Sequence, residues 1–160
     1  MNLESRLLHA YQLQLELLRQ CRQLLHEKTV SLTTNNLAQL EKSMEAEAFL
    51  QTALTEQEKK IQACKRTLAD LWQLSPEEIS WRTLTLRCKG EAVLQVKQLQ
   101  TALRSMADEL RAINQKNLAL IRNGQLFAET MLSTICPAPT YHPDMAGKGT
   151  SLPSRLSVNC

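Results

Sequence analysis

The chain has 160 residues, 43% of them apolar, with two each of Trp, Tyr and Phe and a formal charge of +3 at neutral pH. That length fits one domain, and so few aromatic residues call for an aliphatic core built mainly from leucine. The charge is too weak to argue for nucleic acid, and no apolar run approaches the roughly 18 residues of a membrane span.

Helix breakers divide the chain. No Gly or Pro precedes Pro76, and only Gly90 and Gly124 interrupt between there and Pro137. Pro costs about 3 kcal/mol inside a helix and Gly about 1. Residues 1–136 therefore read as a helical domain. Residues 137–160, with Pro137, Pro139, Pro143, Pro153, Gly147 and Gly149, read as a flexible tail, disordered when alone. The expected fold class is all-α: an antiparallel bundle of three long helices plus a short linking helix.

The first helix is expected over 2–30. Leu8, Tyr11, Leu15, Leu18 and Leu25 recur at three- and four-residue steps, and Leu3, Leu7, Cys21 and Leu24 widen the stripe beyond a two-stranded seam. Residues 29–36 are rich in β-branched and capping types. They predict a connection with an N-cap near Thr34 or Asn35. The second helix should run from 36 to 73 through Leu37, Leu40, Met44, Leu50, Leu54, Ile61, Cys64, Leu68 and Leu71. Its apolar face thins over 51–60, which predicts a stretch projecting beyond the packed layer.

Ser75, Pro76 and Glu78 carry a capping-box pattern that starts a short helix. Residues 82–88 alternate as a strand does, but a lone strand has no partner here, so a helix with an irregular joint near Gly90 is expected. The last long helix should span 91–135. Val96, Leu99, Leu103, Met106, Leu110, Ile113, Leu120 and Phe127 keep its rhythm, with Asn117 and Gly124 on the two missing beats.

Charge is unevenly spread. Residues 82–122 hold eight basic and three acidic side chains, and residues 27–80 hold six basic and nine acidic. Neighbouring helices could complement each other in this way, or the last helix could offer a basic face to an acidic partner. The five cysteines form no CxxC pair, which reads as a reducing compartment. Nothing at the N-terminus has the charged-then-apolar order of a secretion signal.

Catalytic chemistry finds no footing. His9, His26 and His142 have no partner at metal-ligand spacing. No phosphate-binding glycine loop and no nucleophile elbow occurs. No enzyme activity, cofactor, metal or small-molecule substrate is expected.

Three segments carry a resemblance. The stretch Leu110-Arg-Ala-Ile-Asn-Gln-Lys-Asn117 is followed by about twenty residues of amphipathic helix and then by Pro139-Thr-Tyr141. Upstream, the first helix ends in Leu24-Leu25-His26-Glu27. The order of parts resembles the FlgN family of flagellar export chaperones. Two departures stand out: Leu118 follows the second Asn where the family often has Gly, and Tyr141 is followed by His-Pro-Asp rather than Gly.

The resemblance implies a bacterial cytoplasmic chaperone for hook-associated proteins of the hook–filament junction. It would cover their self-associating amphipathic terminal helices and deliver them to the cytoplasmic domain of the flagellar type III export gate. It also ties the C-terminal part of the last helix to client capture and the tail tyrosine to gate docking.

On that basis the expected client-binding residues are Asn114, Asn117, Leu118, Ile121, Phe127, Met131 and Leu132, and the gate-docking residue is Tyr141. Bundle core is the competing use for the apolar residues. For Asn117 the choice lies between a polar residue fixing helix register and a latch for a client backbone. Other readings of the whole chain are a self-associating coiled-coil adaptor and a helical RNA-binding arm. The RNA reading is disfavoured because no aromatic residues interleave with the basic ones.

Overall fold

A computed structural model describes residues 2–135. The expected tail, with Tyr141, lies outside them. Four α-helices and one 3₁₀ turn follow in order: α1 (Leu3–Thr33), α2 (Leu37–Trp72), the turn Pro76–Glu78, α3 (Trp81–Arg87) and α4 (Glu91–Ile135). The chain divides into two compact units, Met1–Gln125 and Leu126–Cys160. The first holds the core. Of the second, residues 126–135 are described, and they are helical.

Side-chain caps set the helix starts. Asn2 accepts the Ser5 N–H at 2.7 Å, Asn36 the Gln39 N–H at 3.1 Å, and Ser80 the Thr83 N–H at 3.2 Å. Two ends close through left-handed residues, Asn35 (φ 52°) and Gln73 (φ 55°). The following N–H reaches back across each of them, Asn36 to the Ser31 carbonyl at 2.9 Å and Leu74 to the Ala69 carbonyl at 3.0 Å. The predicted capping-box pair is present in part of its role: the Glu78 carboxylate accepts the Ser75 N–H at 2.7 Å. That contact holds the carboxyl below its usual range. The motif makes only a 3₁₀ turn, and the short helix begins afterwards at Trp81.

Two expectations need correcting. The connection expected over 29–36 shrinks to residues 34–36, because α1 continues to Thr33. The hydroxyls of Thr29, Ser31 and Thr33 bond back to the carbonyls four residues earlier, and Thr29 and Ser31 are buried. Packing thus overrides their weak helix propensity. Residues 51–60 do not project. Gln57 is buried and donates from Nε2 to the Ala10 carbonyl at 2.7 Å, and Glu58 accepts from Gln14 at 3.1 Å.

Cross-helix pairs give the topology. Lys28 meets Glu47 at 2.6 Å while Gln14 meets Glu58, so α1 and α2 run antiparallel. Arg22 meets Glu109 at 2.8 Å and Thr29 meets Asn117 at 2.6 Å, so α1 and α4 run in the same direction. The result is an up-down-up bundle in which α2 opposes both neighbours.

The core gathers at one end. Leu7, Leu8 and Leu15 of α1 join Ile61 and Leu68 of α2, Ile79 and Leu84 of the linker, and Val96, Leu99 and Met106 of α4. Burying each such side chain is worth about 1.5–3 kcal/mol. Trp72 and Trp81 have separate partners. Trp81 packs on Tyr11, with ring centroids 4.5 Å apart, and the Arg87 guanidinium lies 5.4 Å from the Trp72 ring centre. Burial raises the thiol pKa of Cys21 and Cys88, with Glu47 and Glu4 adding to it respectively. Protonated thiols suit packing rather than reaction. No helix among the described residues is long and apolar enough to cross a membrane.

Candidate functional site

On α4 the side chains that face the core recur at three- and four-residue steps through Val96, Leu99, Leu103, Met106, Leu110 and Ile113 to Asn117. Within the first unit the same steps continue through Leu120, which is half-buried, to Gly124. A helix keeps such residues on one side. What changes along it is burial.

Within the first unit, Asn114, Leu118 and Ile121 are exposed. A methyl group added at Gly124 would meet nothing within 4 Å. In the second unit Phe127 is 69% exposed and Leu132 63%, and Met131 is also solvent-facing. Leu126 and Ile135, not singled out from the sequence, are exposed as well. Ile135 could have been found, since it lies four residues beyond Met131. Leu126 stands off the rhythm and gave no such signal.

Asn117 behaves differently. It is 1% exposed. Its Nδ2 donates to the Leu25 carbonyl at 3.0 Å, and its Oδ1 accepts from the Thr29 hydroxyl at 2.6 Å. Each end of the amide makes one bond within the chain and the residue is buried, which favours the register-fixing use over the latch. The residue fixes the register of α4 against α1. Asn114, one turn earlier, remains available. Tyr141 lies outside the described residues.

The electrostatic expectation also changes. The acidic second helix and the basic last helix do not neutralise each other through paired side chains. Among the described residues every side-chain hydrogen bond or ion pair joining two of the long helices has α1 as one partner. Glu109 is paired with Arg22, which draws its carboxyl below the usual range; Ser105 and His26 add to the effect. Lys97, Arg104 and Arg122 are exposed and have no carboxylate partner among the described residues.

Among the described residues no group of His, Cys, Asp and Glu side chains is placed to hold a metal ion. What the site offers is apolar and cationic surface on a long helix, held in register by one buried amide. No curated protein and no solved structure matches the chain. A family model described as "FlgN protein" matches residues 1–141. The match covers the helical body and reaches the tail tyrosine, and the chain therefore belongs to the FlgN family of flagellar export chaperones.

Proposed function

We propose that this protein is a cytoplasmic bacterial chaperone that binds hook-associated proteins of the hook–filament junction, keeps them from associating early and delivers them to the flagellar type III export gate. The observation that carries the reading is the exposure of Leu118, Ile121, Phe127, Met131 and Leu132 on α4. A soluble chain gains nothing from leaving such side chains wet unless another surface covers them. An amphipathic client helix fits that need, because it buries its own apolar face in the same contact. Leucine and methionine suit this use, since flexible side chains repack against more than one partner. Tyr141 then serves the gate, and neither step calls for enzymatic chemistry.

The test is co-purification of junction proteins with the full chain and with a Phe127→Ser/Leu132→Ser variant. Both positions are exposed, so the variant should melt as the parent does. Loss of the junction proteins with unchanged melting supports the reading, and full retention refutes it. Sedimentation separates the adaptor reading: strong self-association of the parent without client, abolished in the variant, assigns the same side chains to a homo-oligomer.

A further inference from the structure

Apolar and polar burial are separated along the first unit. At one end the buried apolar side chains form a single cluster that stops at Leu15 on α1, begins at Ile61 on α2 and stops at Met106 on α4. Among the described residues no polar side chain is buried with them. The other end comprises residues 16–33, 37–60 and 107–125, placed side by side through Arg22–Glu109, Lys28–Glu47 and Thr29–Asn117. There the buried side chains are Thr29, Ser31, Ser43, Gln57 and Asn117, and Leu25 is their one apolar companion.

The two ends are held by different forces. Burial of apolar surface drives folding directly. A buried hydrogen bond replaces one that water would make, so its net contribution is small, although stranding one partner is costly. Every buried side-chain nitrogen and oxygen among the described residues has a partner. The polar end therefore fits together but gains little by staying shut, and opening it hydrates both members of each pair. Its ion pairs add little, since Arg22 and Glu109 are 40% and 45% exposed. On α4 the change is abrupt. Val96, Leu99 and Met106 are buried, whereas from 107 to 125 only Asn117 is, with Leu110, Ile113 and Leu120 half-buried.

We propose that residues 107–125 of α4 undock from α1 as one piece while the apolar end stays folded. The bonds that break are Arg22–Glu109, Thr29–Asn117 and Asn117 to the Leu25 carbonyl. The α1–α2 hairpin stays closed, because Lys28–Glu47 and the bond from Gln57 to the Ala10 carbonyl do not involve α4. Nor does any side-chain bond among the described residues join α2 to α4. Undocking uncovers Leu25, Leu110, Ile113 and Leu120 beside Leu118 and Ile121, which are exposed already. In the chaperone reading, on which this use alone rests, the undocked state is the receptive one, and redocking covers the added surface again when no client is present.

The test is native-state hydrogen exchange of the full chain without client, read by mass spectrometry where exchange follows the opening equilibrium. A helix of this length is marginal without its packing, so undocking exposes its amides. Residues 107–125 should exchange at least roughly thirtyfold faster than residues 96–106. Ile61→Val truncates the apolar end mildly enough to leave the chain folded. It weakens the closed and undocked states alike, so it should speed exchange over 96–106 about fivefold and leave 107–125 unmoved. Thr29→Val weakens only the closed state, so it should speed both segments roughly tenfold. Equal exchange of the two segments in the parent, or acceleration of both by Ile61→Val, means one cooperative bundle and overturns the proposal. So does a fast 107–125 that Thr29→Val fails to speed, since its exchange then bypasses the Asn117 contacts. No client enters these measurements: the undocking stands if junction proteins fail to bind, and the chaperone reading stands if undocking fails.

Discussion

Asn117 is the most exacting place to perturb this molecule. Truncation to alanine removes the bond to the Leu25 carbonyl at 3.0 Å and the bond from Thr29 at 2.6 Å, and leaves a small void. Neither partner is orphaned. The Thr29 hydroxyl still has the Leu25 carbonyl at 2.9 Å, and that carbonyl keeps its place in the helix. Two net hydrogen bonds at about 1 kcal/mol each, plus the void, give a cost of about 2–3 kcal/mol. For a domain of this size that is a fall in Tm of roughly 6–15 °C.

Thr29→Val is the sharper probe, because it strands a buried amide oxygen and should cost about 1–3 kcal/mol. Asn117→Leu loses the same two bonds but fills the void with buried apolar contact, so it should cost less than Asn117→Ala. In Thr29→Val/Asn117→Leu neither polar partner is left, so the double variant should recover most of the valine penalty. The singles should then sum to about 1–2 kcal/mol more than the double. Guanidinium unfolding of the four proteins measures this directly. Additivity to within about 0.3 kcal/mol refutes the claim that the two side chains act as a unit.

Other expectations are simpler. Gln73→Gly should raise the melting point by a few degrees, because glycine relieves a left-handed backbone that costs an L-residue about 1–2 kcal/mol; a fall in Tm refutes it. Tyr11 has its phenol pushed up to about 12, first by burial and then by Glu58. The unfolded phenol ionises near 10, so this contribution to stability is full below that pH and is lost as pH rises through about 12. Ultraviolet titration of a Tyr141→Phe chain isolates Tyr11, and ionisation near the ordinary value removes the argument. Tyr141→Ala should leave thermal unfolding unchanged and weaken export of junction proteins in cells; a Tm shift of several degrees would make the residue structural.

Much of the fold was legible because its signals are local. Gly90 and the run of prolines from Pro137 bracket α4, and the recurrence from Val96 to Phe127 between them could only be a helix. Capping was legible only to within a few residues: the N-cap expected at Thr34 or Asn35 is Asn36, and Ser75 opens a 3₁₀ turn while Ser80 caps the short helix. Where reading failed, the partner lay far along the chain. Gln57 looked like a solvated residue because the Ala10 carbonyl that buries it is 47 residues away. Thr29 and Ser31 looked like a loop because the packing that keeps them helical is tertiary. Exposure of Phe127 and Met131 was foreseen as one of two uses, but only the fold could decide between surface and core.

The central position of α1 also orders events in time. A connection of residues 34–36 lets α1 and α2 close as a hairpin at little loop-entropy cost. By contrast, Arg22 must wait for Glu109, 87 residues later. At roughly 5–20 residues per second of synthesis, the hairpin stands without its third member for some seconds. During that interval the leucines of α1 that will receive Val96 and Leu99 face solvent. Until α4 packs on it, the nascent hairpin is itself an adhesive surface.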